Sequence, residues 1–211
     1  TVAGINTGSV PPFLFNLAGI TIWNYFTACL NGTSNTFGSN AGIFGKVYFP
    51  RIIVPLSIVI SNLLKFGIQF FIFICFYLYY YLQGAAIGMN ATTLFFPLLI
   101  VMMGILGLGL GMFISSLVTK YRDFSNLVGF GVQLLMYVSA VMYPMALIKE
   151  KLPTYGWLVE YNPLAYVIET TRYMLLDVGH ISLLGLGYTF LVTISVFFVG
   201  VLIFNRTEKS F

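Results

Sequence analysis

The sequence predicts an all-α integral membrane protein, one transmembrane domain over residues 1–211 with five helical spans. Three observations predict it. Apolar residues make up 59% of the 211 positions and charged residues only 8%, against roughly 25% charged in a soluble domain, and the mean hydropathy is +0.93. The apolar residues gather into runs long enough for a hydrocarbon core of about 30 Å, which takes about 20 helical residues to cross. Apart from Lys65, the Lys and Arg residues fall between those runs.

The first span covers residues 13–31. Asn24, Thr27 and Asn31 recur on it at helical spacing and share one face. The second covers 52–82, with Pro55 placed where a first helical turn tolerates it, and it is long enough to tilt. Lys65 lies 14 residues beyond Arg51, or about 21 Å along a straight helix, which puts it near the midplane. An ionisable residue there either snorkels to the interface or faces a protein interior. Gln69, Phe76, Tyr80 and Gln83 continue its stripe. The third span, 93–118, carries Gly104, Gly107, Gly109 and Gly111, a pattern that lets helix backbones approach closely. The fourth, 127–147, presents Asn126, Phe130, Gln133, Tyr137 and Pro144 on one side, and the fifth covers 183–204. Amide and Tyr stripes on three spans predict a wet pathway for a hydroxyl-rich substrate, because such groups prefer water or protein to lipid.

Between the fourth and fifth spans, the runs Tyr155–Val159 and Leu164–Ile168 are too short to cross. Pro153 and Pro163 divide this stretch into two helical pieces, with Asn162 as N-cap and Pro163 at the first helical position. The reading is a pair of re-entrant helices lining a cavity. Glu169 and Arg172, three apart, are i and i+3 partners that could latch such a helix, although an exposed pair contributes only about 0.3–0.5 kcal/mol.

Orientation follows from the basic residues of the short loops. Lys46, Arg51, Lys120, Arg122, Arg206 and Lys209 fall on one side, and Lys149, Lys151 and Arg172 on the other with four acids, Glu150, Glu160, Glu169 and Asp177. The first side is therefore cytoplasmic and includes the C-terminus. The chain then starts outside without an initiator Met, so an N-terminal segment with a sixth span is expected to precede it.

Residues 42–46, Gly-Ile-Phe-Gly-Lys, look like part of a phosphate-binding loop. Their first glycine stands too close to the second, Val47 replaces the required hydroxyl, and a membrane span precedes them where a strand is needed. The stretch is expected to bind no nucleotide. Its small residues before Lys46 and Arg51 instead fit a cytoplasmic docking element. Cys29 and Cys75 sit in apolar runs and predict no disulfide. His180 is the one histidine and has no ligand cluster around it in sequence, so neither a metal site nor a catalytic constellation is expected.

Lys46-Val47-Tyr48-Phe49-Pro50-Arg51, preceded by Trp23-Asn24-Tyr25-Phe26 and the Asn-rich 31–40 stretch, resembles the ABC-2 type permeases that export bacterial O-antigen and teichoic acid. Tyr121-Arg122-Asp123, Tyr143-Pro144, Tyr161-Asn162-Pro163-Leu164 with Glu169 and Arg172, and Phe204-Asn205-Arg206 follow in the same order. The absence of charge over 80–92 and the presence of Lys65 depart from it. The resemblance implies a six-span subunit that dimerises with a second copy of itself in the bacterial inner membrane. It also implies two copies of a separate cytosolic ATPase that hold the ATP and Mg, with no cofactor in this chain. Residues Gly38, Ser39, Asn40, Ala41, Gly42, Ile43, Phe44, Gly45 and Lys46 would form the coupling helix seated on that ATPase. Tyr143, Pro144, Pro153, Trp157, Asn162, Pro163, Glu169 and Arg172 would belong to gate helices at the outer mouth. The pathway reading takes Asn24, Lys65, Gln69, Tyr80, Asn126, Phe130, Gln133 and Tyr137. The cargo would be a lipid-linked polysaccharide, and nucleic acid is not an expected partner. Two alternatives are an ABC-2 exporter of drugs or small lipids and a channel or secondary transporter. The last is disfavoured because every acid lies in a loop or terminus.

Overall fold

The computed structural model describes residues 10–44, 50–121, 123–145, 147 and 156–208, and these residues are helical or irregular, without strands. In chain order the helices are α1 (Pro12–Ser34), α2 (Thr36–Phe44), α3 (Ile53–Leu82), α4 (Phe96–Lys120) preceded by a 3-10 turn (Ala91–Phe95), α5 (Phe124–Val138), α6 (Gly156–Glu160), α7 (Pro163–Leu176) and α8 (Leu183–Glu208). Four of the five expected spans, α1, α3, the 91–120 helix and α8, are long and apolar enough to cross a membrane.

The core lies where α1 and α4 meet, and α3, α7 and α8 pack around them. Leu14, Phe15, Ile22, Phe26 and Cys29 of α1 are buried against Leu99, Met103, Leu106 and Met112 of α4. The glycine run of α4 serves two neighbours at once. A Cβ at Gly104 would stand 2.8 Å from the Tyr25 hydroxyl, and one at Gly107 would stand 3.0 Å from the Phe26 carbonyl, so this side admits α1. On the next face a Cβ at Gly109 would stand 2.8 Å from the Phe197 Cα, and Gly200 abuts the Gly109 carbonyl, which admits α8. Small residues bring backbones together where lipid offers no hydrophobic drive between helices.

The fourth expected span differs from the prediction. Residues 127–147 do not form one crossing helix; α5 runs only from Phe124 to Val138, 15 residues. Ser139 closes the last turn, Ala140 takes a left-handed φ of 54°, and residues 141–143 bend. A left-handed Ala costs about 1–2 kcal/mol, and here it turns carbonyls toward Arg172. Apolar composition cannot register that interruption, because it depends on a residue 32 positions away.

Hydrogen bonds and a ring contact assemble the two ends of the bundle. At one end Asn90 donates to the Asp177 carboxylate at 2.9 Å, and its backbone N–H and the Thr93 hydroxyl both donate to the Met174 carbonyl. This joins residues 83–92 to the end of α7. At the other end Phe37 of α2 meets Ser115 of α4 and Phe204 of α8.

Candidate functional site

At the basic end, α2 is a short helix held by its first turn. The Thr36 hydroxyl donates to the Thr33 carbonyl at 2.8 Å, and the Phe37 side chain is fully buried with its ring stacked on Phe204. Asn40 donates to the Thr36 carbonyl at 2.9 Å. Gly38 packs close to the Asn35 side chain, whereas a Cβ at Gly42 would meet nothing within 4 Å. Ser39 and Gly42 of α2 are exposed. Ala41, Ile43 and Phe44 continue the helix, while Gly45 and Lys46 lie outside the described residues.

Beside α2 opens a cavity of about 580 Å³ lined by Asn35, Gly38, Val118, Thr119, Asp123, Ser125 and Asn126. Three elements make it: the α1–α2 junction, the end of α4 and the start of α5. Its polar groups are amides, hydroxyls and one carboxylate, a set that exchanges hydrogen bonds with a polyhydroxylated ligand. Asn126 leads into the exposed face of α5, where Phe130 is 62% and Tyr137 59% exposed and Gln133 is likewise open. Val128, Val132, Leu135 and Met136 pack the other side of α5 onto the core. The predicted polar-aromatic stripe is thus the side of α5 that this chain leaves uncovered.

The other pathway residues are spread differently. Asn24 of α1 and Lys65 of α3 are exposed, Gln69 and Tyr80 are half-buried, and Phe76 lies edge-on to Phe13 at 4.9 Å. The face of α3 that carries Asn62, Phe66, Phe73 and Tyr77 faces the bundle. Of the predicted pathway residues, only Asn126 lines the cavity.

At the acidic end, α6 and α7 take up the predicted pair of helical pieces. Asn162 caps α7 as expected, accepting from the Leu164 N–H at 3.0 Å with Pro163 at the first position. Its side-chain amide also donates to the Ser139 hydroxyl at 2.9 Å, which ties α7 to the end of α5. Trp157 is 56% exposed on α6, and Pro144 follows the bent segment. Pro153 lies outside the described residues. The Tyr143 hydroxyl donates to the Tyr137 carbonyl.

Glu169 and Arg172 pair as i and i+3 partners, and the pair is buried. Arg172 is fully buried and Glu169 is 8% exposed, and their closest approach is 3.7 Å. The guanidinium instead donates to the carbonyls of Ala140 at 3.0 Å, Tyr143 at 3.1 Å and Val141, and it lies over the Phe15 ring at 3.9 Å. A Cβ at Gly19 would stand 2.7 Å from its Nη2, so only glycine leaves it room. Burial lowers the Arg172 pKa to about 10 and raises the Glu169 carboxyl above the usual carboxylate range. Arg172 therefore keeps its charge at neutral pH. A planar fork that meets several carbonyls at once suits Arg and not Lys.

Sequence reasoning missed Gly19 and gave Phe37 and Asn35 no individual role. Gly19 inside an apolar helical run signals a close approach without naming the partner. Phe37 stood among small polar residues with nothing to mark it as the anchor of α2.

The sequence matches the ABC-2 type transporter family over residues 3–176. An O-antigen export system permease protein RfbA of Klebsiella pneumoniae is 29% identical over 202 residues, covering 94% of this chain and 73% of the relative. A second protein of that description from the same species is 27% identical over 201 residues with the same coverage. One from Myxococcus xanthus is 23% identical over 148 residues, 69% of this chain and 54% of the relative.

Proposed function

We propose that this chain, which belongs to the ABC-2 type transporter family, exports a lipid-linked polysaccharide of the O-antigen or teichoic-acid kind. It is a multi-pass membrane transport subunit and not an enzyme. The carrying observation is similarity to O-antigen export permeases over 94% of the chain. The ABC family places ATP hydrolysis on a separate ATPase. In this reading two copies of that subunit, with their ATP and Mg, serve two copies of this chain in the inner membrane, and the C-terminus lies in the cytoplasm. The excess of basic residues at the α2 end supports that orientation.

The geometry supports the cargo in a specific way. A polar cavity beside α2, lined by amides, hydroxyls and the Asp123 carboxylate, continues into the uncovered face of α5. If two copies bring these faces together, Tyr137, Phe130 and Gln133 offer rings and amides to a sugar chain at many weak contacts and no deep site. The distal half of α2, with Gly42 open, is the surface for the ATPase.

The test is to express the permease with its own ATPase in cells that make the lipid-linked glycan but lack their own exporter, and to measure surface glycan. Its appearance only when both subunits are present supports the reading. Export of hydrophobic drugs without any glycan at the surface would move the chain to the drug and small-lipid branch of the family.

A further inference from the structure

The buried contacts between α5 and α7 bear on how the outer end moves. α5 ends at Ser139 and α7 begins at Asn162, and these two boundary residues are hydrogen-bonded side chain to side chain at 2.9 Å. Ten residues further along α7, about 15 Å at helical rise, Arg172 holds the carbonyls of Ala140, Val141 and Tyr143. Residues 139–143 are therefore tied to α7 from two positions on that helix, Asn162 at the start and Arg172 further along, and a segment tied from two positions does not swivel on its support. Both pins are dry: Ser139, Ala140, Val141, Asn162 and Arg172 are all buried. Pulling them apart would leave the buried guanidinium with Glu169, at 3.7 Å, in place of its three carbonyls, which is costly. α7 is itself no loose flap, since most of its residues are buried against α1, α4 and α8.

We propose that Arg172 is the positioning residue for the outer end of the pathway helix, so that the end of α5, residues 139–143 and α7 travel as one body during transport. The outer passage opens around this block and not between α5 and α7. The block extends to the pathway face, because Tyr143 within it donates to the Tyr137 carbonyl. The proposal rests on the export reading for its readout, so unsubstituted protein in the same cells is scored first; no surface glycan there would count against that reading and not against the block.

The experiment pairs Ser139→Cys with Asn162→Cys in a Cys75→Ser background, which leaves only the buried Cys29. Surface glycan is followed while the pair is closed by mild oxidation and reopened by reduction. The expected result is that the pair closes and export continues at the level of the open pair. A block on closure that reduction reverses would overturn the proposal, as would a pair that never closes. In the second arm Arg172→Lys keeps the charge and loses the fork. It should lose most surface glycan at an equal membrane level of the chain, and closing the cysteine pair in that variant should restore export. A generally structural arginine would show no such recovery, and either that outcome or normal export from Arg172→Lys refutes the positioning role. If Arg172→Lys does not accumulate, the first arm decides by itself.

Discussion

Phe37 lies flat on Phe204, with ring centroids 4.5 Å apart and planes 26° from parallel, and both side chains are fully buried. One ring belongs to the helix proposed to seat the ATPase and the other to the last turns of α8, so a push on α2 is delivered to the bundle through this contact. Phe37→Ala should cost about 3–5 kcal/mol as a large buried ring is removed. The expected outcome is a lower melting temperature in detergent and poorer co-purification of the ATPase. Unchanged ATPase retention would remove Phe37 from the coupling route.

Gly42 offers a complementary test, because a Cβ there would meet nothing within 4 Å. Gly42→Asp should leave stability within about 0.5 kcal/mol, as expected of a surface change, while glycan-dependent ATP hydrolysis and export both fall. The prediction is that detergent melting stays put and activity drops. Normal export from this variant would show that α2 does not touch the ATPase at Gly42.

On α5, Tyr137→Ala should slow export of the polymer, and Asn126→Ala at the cavity should do so as well, with dimer yield and basal ATP hydrolysis largely unchanged. The measurement is surface glycan per unit of membrane-inserted protein, alongside the yield of solubilised dimer. Collapse of the dimer would make the uncovered face an assembly surface, and normal glycan would make it lipid-facing.

Gly200 and Gly109 put two backbones in contact, so nothing flexible can yield to an added methyl. Gly200→Ala should destabilise by about 1–3 kcal/mol through overpacking. The loss of export should track the loss of folded protein, with export per folded molecule retained. A variant that melts normally would mean that α4 and α8 sit further apart than described.

Much of this architecture was legible because crossing a membrane leaves a plain signature. Long apolar runs marked α1, α3, α4 and α8, glycines marked the close faces of α4, and Asn162-Pro163 marked the start of α7. What stayed hidden has one physical origin. The i−3 spacing marks Glu169 as a partner of Arg172, yet the hydrogen-bond acceptors of the guanidinium are backbone carbonyls at 140, 141 and 143, and a carbonyl carries no residue-type signal. The same acceptors interrupt the fourth run, so one unseen interaction shortened a span and buried a charge. The candidate site was less legible than the fold. A polar stripe could be traced along α5, but the cavity at its start draws on α1, α2 and α4 as well, and only the folded chain brings those together.

At 15 residues, α5 is about 22 Å long at 1.5 Å per residue, some 8 Å short of a hydrocarbon core of about 30 Å. If α5 stands in the bilayer as the export reading has it, it crosses less of the slab than α3 or α8, and the buried Arg172 charge sits just beyond its end. On the proposed route along α5, a hydrated polymer would meet a shorter low-dielectric stretch than a route along α3 or α8 would impose. Bilayer thickness then acts as a control on transport: thicker membranes should slow the passage of cargo before they affect the integrity of the bundle.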